Sequence, residues 1–255
     1  MSPAGEVGSV GRALSILDAL PGGPEGVRAS ELARAVGVNP STAARLLATL
    51  AAHRMAERTP QGTWRLGLGL VELSDRVLSG LDLRERARPW LRWLVEQTGE
   101  TATLSLPGAG EAITIDFVPS PRSVVSMARV GRPSAPHATA TGKVMLVFGA
   151  AGAQEPEHVV AGLGRLERFT ERTVCDPEAL ADQLRATRER GLAHAVGERE
   201  PDLAALAAPV LGRRGELSAI VGLQGPVDRL PASRHDELEP LLLRAAAEIA
   251  TALGA

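Results

Sequence analysis

Apolar residues in the first fifth of the chain recur at helical spacing. Val10, Ala13, Leu14, Leu17 and Leu20 fall on one stripe. Ser9 stands where an N-cap belongs, and Pro21-Gly22-Gly23-Pro24 ends the helix. A second helix is predicted from Ser30 to Val36, with Leu32, Ala33 and Val36 inward. Ser30 would cap it, Glu31 suits the positive end of its dipole, and Gly37 is a left-handed stop. Asn39-Pro40 then opens a third helix, Asn as cap and Pro in the first turn. It turns Ala43, Leu46, Leu47 and Leu50 inward and leaves Ser41, Thr42, Arg45 and Thr49 outside. Short polar-apolar runs on either side of Pro60-Gln61-Gly62 read as a hairpin, with Trp64 packing it onto the helices.

Residues 68–78 return to helical spacing through Leu70, Leu73, Val77 and Leu78. Asp82 would cap a further helix that carries Trp90, Trp93, Leu94 and Gln97 towards Gly99. From Glu100 the period changes to two. Strands are predicted over 101–106, 112–118, 124–130, 192–196, 207–211 and 218–223. Helices are predicted over 141–149, from Asp176-Pro177 to about 190, and over 234–253. The fold class is α+β: an all-α head with a small β wing, then an antiparallel-rich sheet with helices packed on it.

Helix, turn, helix and hairpin wing together suit duplex DNA. The major groove admits one α-helix, and the preceding helix braces it. Charge supports this. Between Arg28 and Arg65 stand six Arg (28, 34, 45, 54, 58, 65) against Glu31 and Glu57, or +4 in a chain of net −2. Such a patch gains from counterion release on phosphate. Ser41, Thr42, Arg45 and Thr49 are the candidate groove contacts. Arg58 and Arg65 on the wing, with Arg12, are candidate phosphate contacts. With no Tyr and 2% aromatics, binding by base stacking is excluded.

The chain resembles the IclR-type bacterial transcriptional regulators. The resemblance is carried by Ser9-Val10-Gly11-Arg12-Ala13-Leu14-Ser15-Ile16-Leu17, Ser30-Glu31-Leu32-Ala33, Ser41-Thr42-Ala43-Ala44-Arg45-Leu46-Leu47 and Trp64-Arg65-Leu66-Gly67. It continues through His137-Ala138-Thr139-Ala140-Thr141-Gly142-Lys143, Arg172-Thr173-Val174, Gly191-Leu192-Ala193, Ala207-Ala208-Pro209-Val210 and Gly225-Pro226. It implies a winged helix-turn-helix over 7–68, a helical linker over 69–98 and a GAF- or profilin-like effector-binding domain over 99–255. It further implies binding of operator DNA as a homodimer or tetramer, modulated by a small organic acid or aromatic metabolite. One wall of the effector pocket would be Ala140, Thr141 and Gly142, at a helix N-terminus suited to an anion. The other would be Ala195, Ala205, Gly222 and Gln224, which match positions that are polar in members binding small keto or hydroxy acids. Three of these four lack a polar side chain, so a larger or more apolar ligand is expected. Lys143 could add positive charge at the ligand but reads more readily as a structural or solvated lysine, and His194 and Glu198 are secondary effector-site candidates that read more readily as surface residues. Members of the family usually carry Gly and an aromatic after the recognition helix. Here His53-Arg54-Met55 stands there, and Met55 is expected to fill the aromatic's core slot.

Enzyme patterns are absent from the sequence. Gly142-Lys143 lacks the first Gly and the Ser or Thr of a phosphate-binding loop, and no His-Glu-x-x-His or Gly-x-Ser-x-Gly run occurs. Cys175 is the single cysteine, which excludes a disulfide framework and a multi-cysteine metal cluster. No cofactor, metal or membrane is expected, and the expected location is the cytoplasm. The rival reading is a small-molecule-sensing or enzymatic domain whose helix-turn-helix serves protein contacts.

Overall fold

A computed structural model of the chain describes residues 8–23, 25–73, 83–108, 110–123, 128–149, 152 and 154–255. It divides into two compact units, Met1–Leu81 and Asp82–Ala255.

The first unit contains α1 (Gly8–Ala19), α2 (Ala29–Ala35), α3 (Pro40–Ala52) and the hairpin β1 (Ala56–Arg58) and β2 (Trp64–Leu66). Ile16, Leu20, Leu32, Ala33, Ala43, Leu47 and Ala56 form its core, with Trp64 half-buried against them as the sequence predicts. The α1 stripe differs from the predicted one. Ile16 is buried, whereas Val10 and Leu14 are 55% and 56% exposed. The inner line runs through Ala13, Ile16, Leu17 and Leu20, and Ser9 sits inside the helix rather than at its cap. At α2 the N-cap is Arg28, not Ser30. The Glu31 carboxylate accepts the Arg28 N–H at 3.4 Å. Asn39 caps α3 as predicted, its Oδ1 accepting the Thr42 N–H at 2.8 Å. Gly37 takes φ +67, the left-handed stop the turn needs. Met55 is half-buried and lies outside the core set, where Ala56 takes the buried position. The chain is helical again over 69–73, and the remainder of the helix predicted to 78 lies outside the described residues, as does Asp82.

In the second unit α4 (Leu83–Thr98) leads into a six-stranded sheet of order β5-β4-β3-β8-β7-β6, antiparallel throughout. The strands are β3 (Thr101–Pro107), β4 (Ala112–Val118), β5 (Pro133–Ser134), β6 (Ala193–Val196), β7 (Leu203–Leu211) and β8 (Leu217–Pro226). The helices are α5 (Ala140–Phe148), α6 (Pro156–Gly162), α7 (Pro177–Arg190) and α8 (His235–Ala252). Helices α4 and α8 contact the sheet and each other, and α5 packs on it through Ala140, Val144 and Met145. The segment predicted as a connecting helix is therefore an integral part of this unit from Leu83 onwards. The inward face of α4 is Leu83, Ala87, Leu91, Leu94, Val95 and Thr98. Trp90 and Trp93 are half-buried, edge to face at 5.9 Å, and Gln97 is exposed.

Three element predictions are corrected. The strand predicted over 124–130 is not formed at 128–130; β5 follows at Pro133–Ser134, and 124–127 lie outside the described residues. Strand β7 begins at Leu203 and β8 runs on to Pro226. Ala204, Ala205 and Gly225 have weak strand propensity, and pairing within the sheet overrides it. Helix α6 has no counterpart in the sequence reading. Seven residues with three buried positions, Pro156, Val159 and Val160, make too little periodicity to read.

Candidate DNA-reading helix and effector cavity

In the first unit, α3 presents Ser41, Arg45 and Thr49 to solvent, and Thr42 is half-buried. The Ser41 hydroxyl donates to Asn39 Oδ1 at 2.8 Å, and the Thr49 hydroxyl donates to the Arg45 carbonyl at 3.0 Å. Both donors are thus spent within the helix. The Arg45 guanidinium has no partner among the described residues, so its planar donor fork is free for a base edge or phosphate. The other cationic candidates differ. Arg12 donates back to the Gly8 carbonyl at 2.7 Å. Arg65 pairs with Glu57, directly opposite it across the hairpin, so its charge is half neutralised. Arg58 is exposed and makes one long contact, 3.4 Å to the Gly62 carbonyl. Arg54 holds Glu72 at 2.6 Å, which the charge count over 28–65 could not show. Arg54 also adopts φ +61, the left-handed conformation usually left to glycine. It occupies the stretch where the sequence departs from the family pattern, so the tight turn out of α3 is kept without the glycine.

In the second unit a cavity opens beside the N-terminus of α5, with about 690 Å³ of atom-free space counting its mouth. Residues paired directly across antiparallel strands share a face. The register therefore puts Thr101, Gln224, Ala205 and Ala195 in one row, and Thr103, Gly222, Ala207 and Ala193 in the next. Five of the seven residues expected at the effector site line the cavity: Ala140, Thr141, Ala195, Ala205 and Gln224. Gly142 and Gly222 stand behind the wall. A Cβ on Gly222 would lie 2.8 Å from Thr103 Oγ1, and one on Gly142 would lie 2.6 Å from the carbonyl oxygens of both Ala135 and Pro136. Thr139 caps α5 by accepting the Gly142 N–H at 3.0 Å. The N–H groups of Ala140 and Thr141, in the first turn, are left for a ligand among the described residues.

Polar groups that the sequence reading missed complete the lining. Thr103 and Thr114 come from β3 and β4, and Arg129, Arg132, Arg199 and Glu200 from the rim. The alternation Thr101, Thr103, Ser105 was visible. That Thr114 joins the same face was not, because it depends on an irregularity between Leu104 and Ser105 that pairs Ser105 with Thr114. Arg132 pairs with Glu200. The Arg199 guanidinium lies 3.8 Å from the centre of the Phe169 ring, which His137 stacks from 5.7 Å.

Of the readings open for Lys143, the structure shows a buried, paired lysine rather than a solvated one. It is 1% exposed, its Nζ 2.6 Å from Glu198 Oε1 and 3.0 Å from the His194 carbonyl. Burial pulls its pKa below the usual lysine value, and the Glu198 carboxylate opposes that fall. The reading of His194 and Glu198 as surface residues is corrected. Glu198 is buried, and its backbone is clamped. The Thr173 hydroxyl donates to its carbonyl at 2.7 Å, and the Thr170 hydroxyl donates to the Gly197 carbonyl at 2.6 Å. Gly197 itself sits at φ +68. His194 lies on the opposite face of β6, its ring 4.2 Å from that of His235. Its Nε2 is 2.9 Å from Glu239 Oε1 but out of line for a hydrogen bond. Burial first, then the neighbouring His235, Arg190 and Lys143, push its pKa down to about 4, against the weaker pull of Asp236. Single-sequence periodicity missed these burials because both residues lie in a four-residue strand and the bend after it.

A winged helix-turn-helix with an uncommitted arginine on its third helix, joined in one chain to a sheet domain with a cationic cavity, defines a ligand-responsive DNA-binding regulator. The comparisons with known proteins agree. Residues 9–60 match the IclR helix-turn-helix domain, and residues 75–251 match the bacterial transcriptional regulator IclR C-terminal domain. The chain belongs to the IclR family of bacterial transcriptional regulators. Among its relatives, the HTH-type transcriptional regulator BhcR of Paracoccus denitrificans is 33% identical over 96% of this chain and 87% of its own. The HTH-type transcriptional regulator XynR of Escherichia coli is 30% identical over 96% and 97%. Among solved structures, an IclR homologue from Microbacterium hydrocarbonoxydans complexed with 4-hydroxybenzoate superposes with TM-score 0.80 at 26% identity, covering 96% of this chain and 99% of the other. No described helix is long and apolar enough to cross a membrane.

Proposed function

We propose that this regulator reads operator DNA through α3, as an assembly of two or four copies, and that an organic carboxylate in the second-unit cavity modulates that binding. Support for the first part is the exposed Arg45 with no partner among the described residues, at the centre of the outward face of α3. Arg58 is the wing cation left with its charge unneutralised. Support for the second part is the set of anion-seeking groups at one cavity: the Ala140 and Thr141 N–H groups, Arg129 and Arg199. The relative with 4-hydroxybenzoate bound shows a carboxylate of this kind in a homologous chain. The small side chains Ala195 and Ala205 leave room for an acid of more than three carbons. Coupling requires that the bound acid favour one arrangement of the paired DNA-binding heads over another.

Arg45→Ala is expected to weaken binding to a selected operator fragment by roughly tenfold to a hundredfold and to relax its sequence preference. Arg58→Ala should weaken operator and random duplex alike and flatten the salt slope by about 1. Fluorescence anisotropy across a salt series separates the two. Operator binding by Arg45→Ala at the wild-type level would remove α3 from the reading role. For the cavity, calorimetry on the full chain should show aromatic or longer aliphatic acids binding more tightly than glyoxylate or pyruvate. The reverse order would overturn the size argument.

A further inference from the structure

Arg199 lines the effector cavity, is half-buried, and makes no hydrogen bond or ion pair with any described residue. It is nevertheless seated. Its guanidinium carbon lies over the Phe169 ring, 3.8 Å from the centre. A ring face attracts the cation without using its N–H donors on an acceptor, so the donor fork stays open. The other two arginines of the lining differ. Arg132 is paired with Glu200, and Arg129 is exposed with no partner among the described residues.

Phe169 is itself built onto the bend that carries Arg199. The Phe169 N–H donates to the Thr173 hydroxyl at 3.0 Å, and that hydroxyl donates to the carbonyl of Glu198, the residue before Arg199, at 2.7 Å. The His137 ring stacks with that of Phe169, 5.7 Å between centres and 28° between planes, and its Nε2 lies 2.8 Å from the Glu167 carbonyl. His137 is buried and stands two residues before Thr139, the N-cap of α5. The Phe169 ring therefore joins Arg199 to the segment that opens α5. Phe169 does not line the cavity.

We propose that Phe169 is a positioning residue of the effector site, holding the Arg199 guanidinium where it receives an anionic group of the ligand. This rests on the reading of the cavity as an effector site. An arginine side chain free in solvent must be ordered on binding, which lowers affinity, and one already seated on a ring avoids most of that loss. The two acids of the lining are already paired, Glu198 with Lys143 and Glu200 with Arg132. Phe169 acts through Arg199, so it affects ligands according to their charge and not their shape.

The test is calorimetry on the full chain with two matched pairs: 4-hydroxybenzoate against 4-hydroxybenzamide, and hexanoate against hexanamide. Each amide keeps the shape and loses the charge. In the wild type the acid should bind at least about tenfold more tightly than its amide. Arg199→Gln should weaken the acid by about tenfold and leave the amide within about twofold. Phe169→Leu should weaken the acid by about twofold to fivefold, the range for a partly exposed cation–π contact, and leave the amide unchanged. Phe169→Trp, with a stronger ring face, should keep the wild-type affinity for the acid or exceed it. In the Arg199→Gln background neither Phe169 variant should shift the acid further. A ring with a purely structural role would move acid and amide together, and in both backgrounds. That result overturns the proposal, as does wild-type acid binding by Phe169→Leu, and in either case the effector cavity stands. If neither acid binds the wild type, the carboxylate reading of the cavity falls and this proposal with it. Should Phe169→Leu fail to fold by circular dichroism, Phe169→Met takes its place with the same expectations.

Discussion

Replacing Lys143 with Met is expected to destabilise the chain by about 3–5 kcal/mol, the range for breaking a buried ion pair by removing one partner. Lys143 is 1% exposed, and its partner Glu198 has an oxygen with no other donor among the described residues. Taking away the ammonium strands a buried carboxylate and also orphans the His194 carbonyl that Nζ satisfies. The penalty arises from the charge left behind rather than from lost attraction. The double variant Lys143→Met/Glu198→Leu should therefore recover most of it, since a well-packed apolar pair is often as stable as an ionic one. Denaturant unfolding of the full chain, followed at α5 and β6 by hydrogen exchange, checks both. A single variant within about 1 kcal/mol of the parent, well below that range, would mean that the cavity wall does not depend on the pair.

Leu47→Ala should cost about 2–5 kcal/mol, by lost transfer energy and by the cavity left among Ile16, Leu32 and Ala43. Leu47 is fully buried in a small core formed by α1, α2, α3 and the hairpin, where that loss is a large part of ordinary domain stability. Operator affinity should fall with the folded fraction of the first unit, and amide protection should drop across residues 8–66. Arg45→Ala makes the contrast. It should weaken operator binding by the roughly tenfold to hundredfold expected above while leaving exchange protection unchanged, because the side chain is exposed. If Leu47→Ala kept full protection and full binding, the core assigned to this unit would be wrong.

The first unit was largely legible in the sequence because its signals are local. Asn39-Pro40 and Gly37 act through bonds within a few residues, and the structure forms them as read. The misplacements there have one cause. Ser9, Ser30, Val10 and Leu14 all fit a helical pattern, and only the surrounding core decides which face turns inward. In the second unit the alternation identified most strands but not the partners on each face. The Leu104/Ser105 irregularity, the burial of Glu198 beside Lys143, and the His194–His235 contact join residues far apart in the chain. Arg129 and Arg132 were unreadable as cavity residues for the same reason. The family resemblance supplied the cavity's general position, and five of its seven residues face one space. It did not supply the charges at the rim.

Gly142 has a consequence for the thermodynamics of binding. Its backbone is seated against the Ala135 and Pro136 carbonyls so closely that no side chain fits between. The first turn of α5 is therefore packed directly on the loop before it, which favours one direction for the N–H groups of Ala140 and Thr141. The entropy of aligning those donors is lost once, when the chain folds, and is not charged again to each ligand. If the effector is the carboxylate proposed above, a modest acid would then bind with a favourable margin left over to bias the arrangement of the DNA-binding heads.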